Sequence, residues 1–186
     1  LSYIIGEGHS LPVLSLVTDD SESFRIMYDN KRKDMKVPGS ISLYESNGSF
    51  TMPCGIEMHG EASLSMPKKN MSVKFSGAYG QEKLSYDAFG GGVSEFTDFV
   101  LRSGQDFTSS IVKNELLENL LLQYSDSVPS QRSKHCVLYI NGQYSGLYAL
   151  MEKLNEFHYA SHYGVSEDSV TVIKAMAQPD SDFYRE

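Results

Sequence analysis

"HGEASLSMPKKNMSVKF", His59 to Phe75, gathers one glycine, three serines and three lysines into a polar turn that then becomes a strand. In its closing run Met71, Val73 and Phe75 fall on one face and Ser72 and Lys74 on the other, the alternation of a half-buried strand. A glycine in such a turn lets a ligand approach the backbone. Serine hydroxyls and amides can donate to phosphate oxygens, and a lysine on the next strand can neutralise them. That combination suits a cover over nucleotide phosphates. A polar hairpin loop carrying solubilising lysines uses the same residues, so the flanking segments have to arbitrate.

Upstream, "LPVLSLVT" (Leu11 to Thr18) predicts an inner strand ending at Asp19-Asp20. "SISLYES" (Ser40 to Ser46) breaks at Asn47-Gly48, and the apolar run resuming at Phe50 through Met58 predicts a hairpin. Downstream, Asp87 to Gly92 is a glycine-rich loop and "FTDFVLRS" (Phe96 to Ser103) a further strand. "IVKNELLENLLLQY", capped by Ser109 or Ser110, predicts the one long helix. Its stripe of Val112, Leu116, Leu117, Leu120, Leu121 and Tyr124 is expected to make the main helix–sheet contact. "HCVLYINGQYSGLYALME" predicts a hairpin on Asn141-Gly142. A second helix runs from about Asn155 to Tyr163 and stops at Gly164, and Ser169 to Ala175 is the last expected strand. The order implies an α+β fold, a mostly antiparallel sheet with one long helix, in a single domain or domain fragment over 1–186.

Composition narrows the partners. Sixteen basic against twenty-four acidic residues, a net charge of −8, would repel a phosphate backbone, so no nucleic acid is expected. Lys31-Arg32-Lys33 lies among Asp29, Asn30 and Asp34 and reads as a solvated loop. No apolar run reaches the roughly 18 residues of a membrane span. The chain begins at Leu1, so any export signal is expected to have been removed already and does not reveal the compartment. Cys54 and Cys136 match no metal spacing and are expected to be separate buried thiols. His158 and His162 stand four apart, but the glutamate of an H-E-x-x-H site is missing, and no metal ligand is assigned. Gly90-Gly91-Gly92 lacks the Gly-Lys-Ser/Thr of a phosphate loop, and no G-x-S-x-G turn occurs.

Taken in order, "GIEMHGEASLSMPKKNMSVKF", "YGQEKLSYDAFGG", "FTDFVLRSGQD", "SSIVKNELLENLL" and "VLYINGQYSGLYALMEKLNEFHYASHYG" resemble the spore-coat protein H (CotH) kinase family. The resemblance runs from roughly Leu11 to Lys174. It implies the N-terminal part of an atypical protein kinase-like fold. For the intact domain it implies ATP with Mg or Mn, phosphoryl transfer to a protein serine or threonine, and an extracytoplasmic setting at the cell surface or spore coat. The implied partner is a protein substrate or a coat protein.

The same resemblance assigns ligand-binding roles to Gly60, Ser63 and Ser65 in the turn and to Lys68 and Lys69 after Pro67. Lys74 stands where the V-A-I-K lysine of ordinary kinases would be, and the choice between Lys69 and Lys74 as phosphate ligand stays open. Glu152 would contact the ligand or hold the connection between lobes. Two positions depart from the family pattern: Leu64 replaces an arginine and Ser145 an aromatic. The family's metal-holding aspartates are expected beyond this stretch, with Asp180 and Asp182 in a surface loop, so the isolated chain is expected to be inactive. A rival reading is a non-catalytic surface module binding protein or glycan, which twelve tyrosines would suit equally well.

Overall fold

The structure, a computed structural model, describes residues 8–105, 112–124 and 130–173. Two compact units divide the chain, Leu1–Lys153 and Leu154–Glu186. In the first unit the strands are β1 (Val13–Val17), β2 (Lys36–Glu45), β3 (Gly48–Met58), β4 (Met71–Lys74), β5 (Leu84–Ser85), β6 (Glu95–Phe96), β7 (Asp98–Arg102), β8 (Ser133–Ile140) and β9 (Gln143–Glu152). β5 and β6 pair only with each other, and the remaining seven close into a barrel in the order β1-β2-β3-β4-β7-β9-β8.

Local sequence explains two of the neighbouring pairs. The hairpin of β2 and β3 forms as expected but turns at Ser46-Asn47, one residue before the expected Asn47-Gly48, with Glu45 opposite Gly48. That of β8 and β9 turns at Asn141 (φ 48°) and Gly142 (φ 79°), both in the left-handed region that a two-residue hairpin turn demands. Closure comes from β1, which runs antiparallel to β2 with Leu16 opposite Ile41 and parallel to β8 with Leu14 opposite Leu138. Gly39 permits the tight approach of β1 and β2, since a Cβ there would lie 2.4 Å from the carbonyl oxygen of Val17.

The period of two puts every second side chain inside. Leu14, Ile41, Ile56, Val73, Phe99, Leu138 and Leu150, one from each barrel strand, are fully buried and belong to one core. Cys54 and Cys136 are free thiols in the same core, and burial pushes both up to about 12.

This architecture corrects the α+β kinase-like fold expected from sequence. The unit is mostly strand, the barrel is closed, and the three α-helices among the described residues, α1 (Ser21–Asp29), α2 (Lys113–Tyr124) and α3 (Glu156–Tyr163), are all short. A sheet curled on itself buries its inner face without help from a helix. The expected stripe on α2 is accordingly on the outside: Leu116 is 57% exposed, Leu117 50% and Tyr124 77%. The buried residue of α2 is instead Glu115. Its expected cap, Ser109 or Ser110, lies outside the described residues.

Helix α1 was not expected. Asp20 caps it by accepting from the Ser23 amide at 2.8 Å, while Phe24 and Met27, three apart, turn inward. In the second unit α3 follows expectation: Asn155 Oδ1 accepts from the His158 amide and Gly164 closes the helix at φ 65°. The rings of His158 and His162 lie 4.3 Å apart. The strand expected over Ser169 to Ala175 does not form where it is described, because Ser169 ends a 3-10 turn and residues 170–173 are irregular. Among the described residues no helix is long and apolar enough to cross a membrane.

Candidate functional site

The turn from His59 to Asn70 leaves β3 and enters β4 at one end of the barrel. Its entry is pinned by the His59 amide donating to the Asn70 carbonyl, and Asn70 Oδ1 accepts both the amide and the hydroxyl of Ser103. Gly60 has φ 88°, and a Cβ there would stand 2.5 Å from Ser63 Oγ, so glycine lets the chain fold back on the short 3-10 turn Ala62–Ser65. Gly60 and Ser63 are thus together. The Ser65 hydroxyl is used locally, donating to the Ala62 carbonyl at 2.7 Å.

Lys68 and Lys69 are anchored to different elements. The Lys68 ammonium donates to the Leu147 carbonyl at 2.6 Å and lies 4.5 Å from the centre of the Tyr148 ring. Desolvation holds its pKa below the usual lysine value. The Lys69 ammonium lies 4.6 Å from the Tyr28 ring of α1 and 3.4 Å from the Met66 carbonyl. Sequence alone had no reason to bring Tyr28 or Tyr148 to this turn.

Lys74 and Glu152 are at the other end of the barrel, separated from the turn by the length of β4, roughly 10 Å. Lys74 points outward, exposed, and among the described residues its ammonium makes no hydrogen bond or ion pair. The register sets it opposite Asp98. Glu152 lies opposite Phe99 on the inward face and is buried. Its Oε2 accepts from the Arg132 amide at 2.9 Å, and its carbonyl accepts from the Gln131 side chain at 2.6 Å, which ties the end of β9 to the start of β8.

Between these ends, on the outer face, a charged network crosses β3, β4 and β7. Ser72 donates to Glu57 Oε1 at 2.9 Å and Lys36 stands 3.1 Å from Glu57 Oε2. Lys153 reaches both Glu57 (3.6 Å) and Asp98 (3.7 Å). Burial raises the Glu57 carboxyl, but the Ser72 hydroxyl and the two lysines outweigh it and hold the group below the ordinary glutamate value.

Residues 56–185 match the family described as CotH kinase protein. The chain belongs to that family. Comparison with curated proteins returns no match. The CotH match begins inside β3, so β1 and β2, which complete the barrel, lie outside it.

In this CotH-family barrel the turn and Lys74, sixteen positions spanned by one motif, serve opposite ends of a strand. Glu57, Asp98 and Lys153 were not singled out from sequence. For Glu57 and Asp98 the local signal is parity, since each stands beside a fully buried neighbour, Ile56 and Phe99. The register between strands, which parity does not supply, is what gathers them.

A second polar group closes the barrel interior of this CotH-family protein at the end where β2 finishes. Glu45 Oε2 lies 2.6 Å from the Lys134 ammonium, and Oε1 accepts from the Tyr86 hydroxyl at 2.8 Å. Burial and the adjacent carboxylate push the Tyr86 phenol up to about 12.

Proposed function

We propose that the chain supplies a nucleotide-phosphate contact for phosphoryl transfer from ATP to a protein serine or threonine, with Lys74 as the phosphate ligand. The observation that carries this is the availability of Lys74: it is exposed and without an intramolecular partner among the described residues, whereas Lys68 and Lys69 are held by carbonyls and tyrosine rings. Phosphoryl transfer rests on positioning and on neutralising the β- and γ-phosphates. The register sets Lys74 opposite Asp98, whose carboxylate faces the Lys153 ammonium, so the Lys74 ammonium is left available for that task.

The carboxylates of Glu57 and Asp98 do not fit a resident Mg or Mn ion, because both face the Lys153 ammonium. A divalent ion would arrive on the nucleotide. The family membership supports an extracytoplasmic setting and a coat or surface protein as phosphoacceptor.

Calorimetric titration of ATP with Mg into the protein tests the assignment. Lys74→Ala is expected to weaken binding by at least about tenfold, since a charge-assisted contact contributes roughly 1.5–3 kcal/mol, with melting shifted by under about 0.5 kcal/mol. Unchanged affinity in Lys74→Ala, or a larger loss in Lys69→Ala at equal stability, would sink it.

A further inference from the structure

A cleft of about 430 Å³ opens where β1 begins and β2 ends, walled by His9, Ser10, Leu11, Tyr44, Glu45 and Ser46. That is the size of a small-molecule site. Among the described residues no lysine or arginine lines it, so an anion would find no counter-charge there. The Glu45 carboxylate is already balanced by Lys134 and Tyr86, so a cation would gain little there. The chemistry that remains suits a neutral, hydroxyl-rich ligand.

Two independent features favour a sugar. The hydroxyls of Ser10 and Ser46 make no hydrogen bond among the described residues, while Leu11 is 40% exposed beside them. Polar rim and apolar patch together match the two kinds of surface on a pyranose ring. From the cleft an aromatic row then leads outward across β8 and β9. His9 Nε2 lies 2.9 Å from the Tyr139 hydroxyl, with the rings edge to face at 5.9 Å. Tyr139 meets Tyr144 at 5.7 Å, and Tyr144 is 65% exposed. An exposed tyrosine ring offers an apolar stacking face and a polar tip at little entropic cost.

We infer that this cleft and the Tyr144 shelf bind a neutral carbohydrate chain. The site is built by β1, β2 and the β8–β9 hairpin rather than by β4 and β7, and it does not depend on the nucleotide reading.

The protein is titrated with cellotetraose, maltotetraose and chitotetraose, and with an acidic hyaluronan tetrasaccharide, each up to about 10 mM, following the His9 and tyrosine ring signals by NMR. At least one neutral probe is expected to saturate and to move His9, Tyr44 and Tyr144. Tyr144→Ala and Tyr44→Ala should each weaken it about five- to tenfold. In Tyr144→Ala the melting temperature and ATP affinity should stay as in the parent. No saturable shift with any neutral probe, a preference for the acidic one, or binding that survives both substitutions overturns the inference.

Discussion

The hydroxyl of Tyr148, a side chain buried inside the barrel, donates across 3.2 Å to the carbonyl of Lys69 on the turn at the barrel's end. The amide of Lys69 in turn donates to the Tyr28 hydroxyl at 3.0 Å. The turn is therefore held by β9 and by α1, and its lysines are committed to that attachment.

Removing only the hydroxyl tests this attachment. Tyr148→Phe should lose about 0.5–1.5 kcal/mol in urea unfolding, the net worth of one hydrogen bond, whereas Tyr148→Ala should lose about 3–5 kcal/mol because it also opens a cavity. Equal stability of Tyr148→Phe and the parent would show that the bond to Lys69 is not made.

The polar closure of the barrel offers a second test. Lys134→Met strands the Glu45 carboxylate, whose side chain is only 7% exposed, and should cost about 3 kcal/mol. The double substitution Lys134→Met with Glu45→Leu should recover most of that loss, since the unpaired charge goes with it. Additive losses in the double variant would refute the pairing.

Helix α2 and the barrel make opposite predictions for the same kind of truncation. Leu117→Ala and Leu120→Ala, at exposed positions, should change stability by under about 0.5 kcal/mol. Ile41→Ala, fully buried, should cost about 2–5 kcal/mol. A large cost at both leucines would return the stripe to the core.

The pH dependence follows from Glu57. Its folded pKa lies below the unfolded value near 4.5, so it contributes stability that is fully present above pH 4.5 and lost as pH falls through the folded value. Ser72→Ala removes the hydroxyl that helps to lower it. Thermal melts between pH 6 and pH 3 should then fall less steeply on the acid side for Ser72→Ala than for the parent. Parallel acid limbs would mean that Ser72 does not favour the ionised form.

How much of the site was legible in the chain depends on how far apart the interacting groups are. Gly60 and Ser63 were identifiable, because three residues of one turn determine their contact. Glu152 was named, but its bond to the Arg132 amide depends on a pairing between β8 and β9 that residue type does not announce. The choice between Lys69 and Lys74 stayed open for the same reason: five positions apart in the chain, they sit at opposite ends of β4, and only their surroundings distinguish a held ammonium from an available one.

The sequence by itself determined the features that rest on local geometry. The turn signals around Asn47 and at Asn141-Gly142 specify two hairpins, the first turning at Ser46-Asn47, while Asn155 and Gly164 bracket α3 and the alternation of Met71 to Phe75 specifies a strand with one buried face. Tertiary structure alone decided what covers that face. Alternation requires only that apolar side chains leave water, and a helix laid on an open sheet satisfies it as well as a sheet curled on itself. The decision falls to the parallel pairing of β1 with β8 and to contacts such as the Thr18 amide on Asn141, 123 positions away. Once that seam closes, the barrel fills its own interior and α2 is left with its leucines outside.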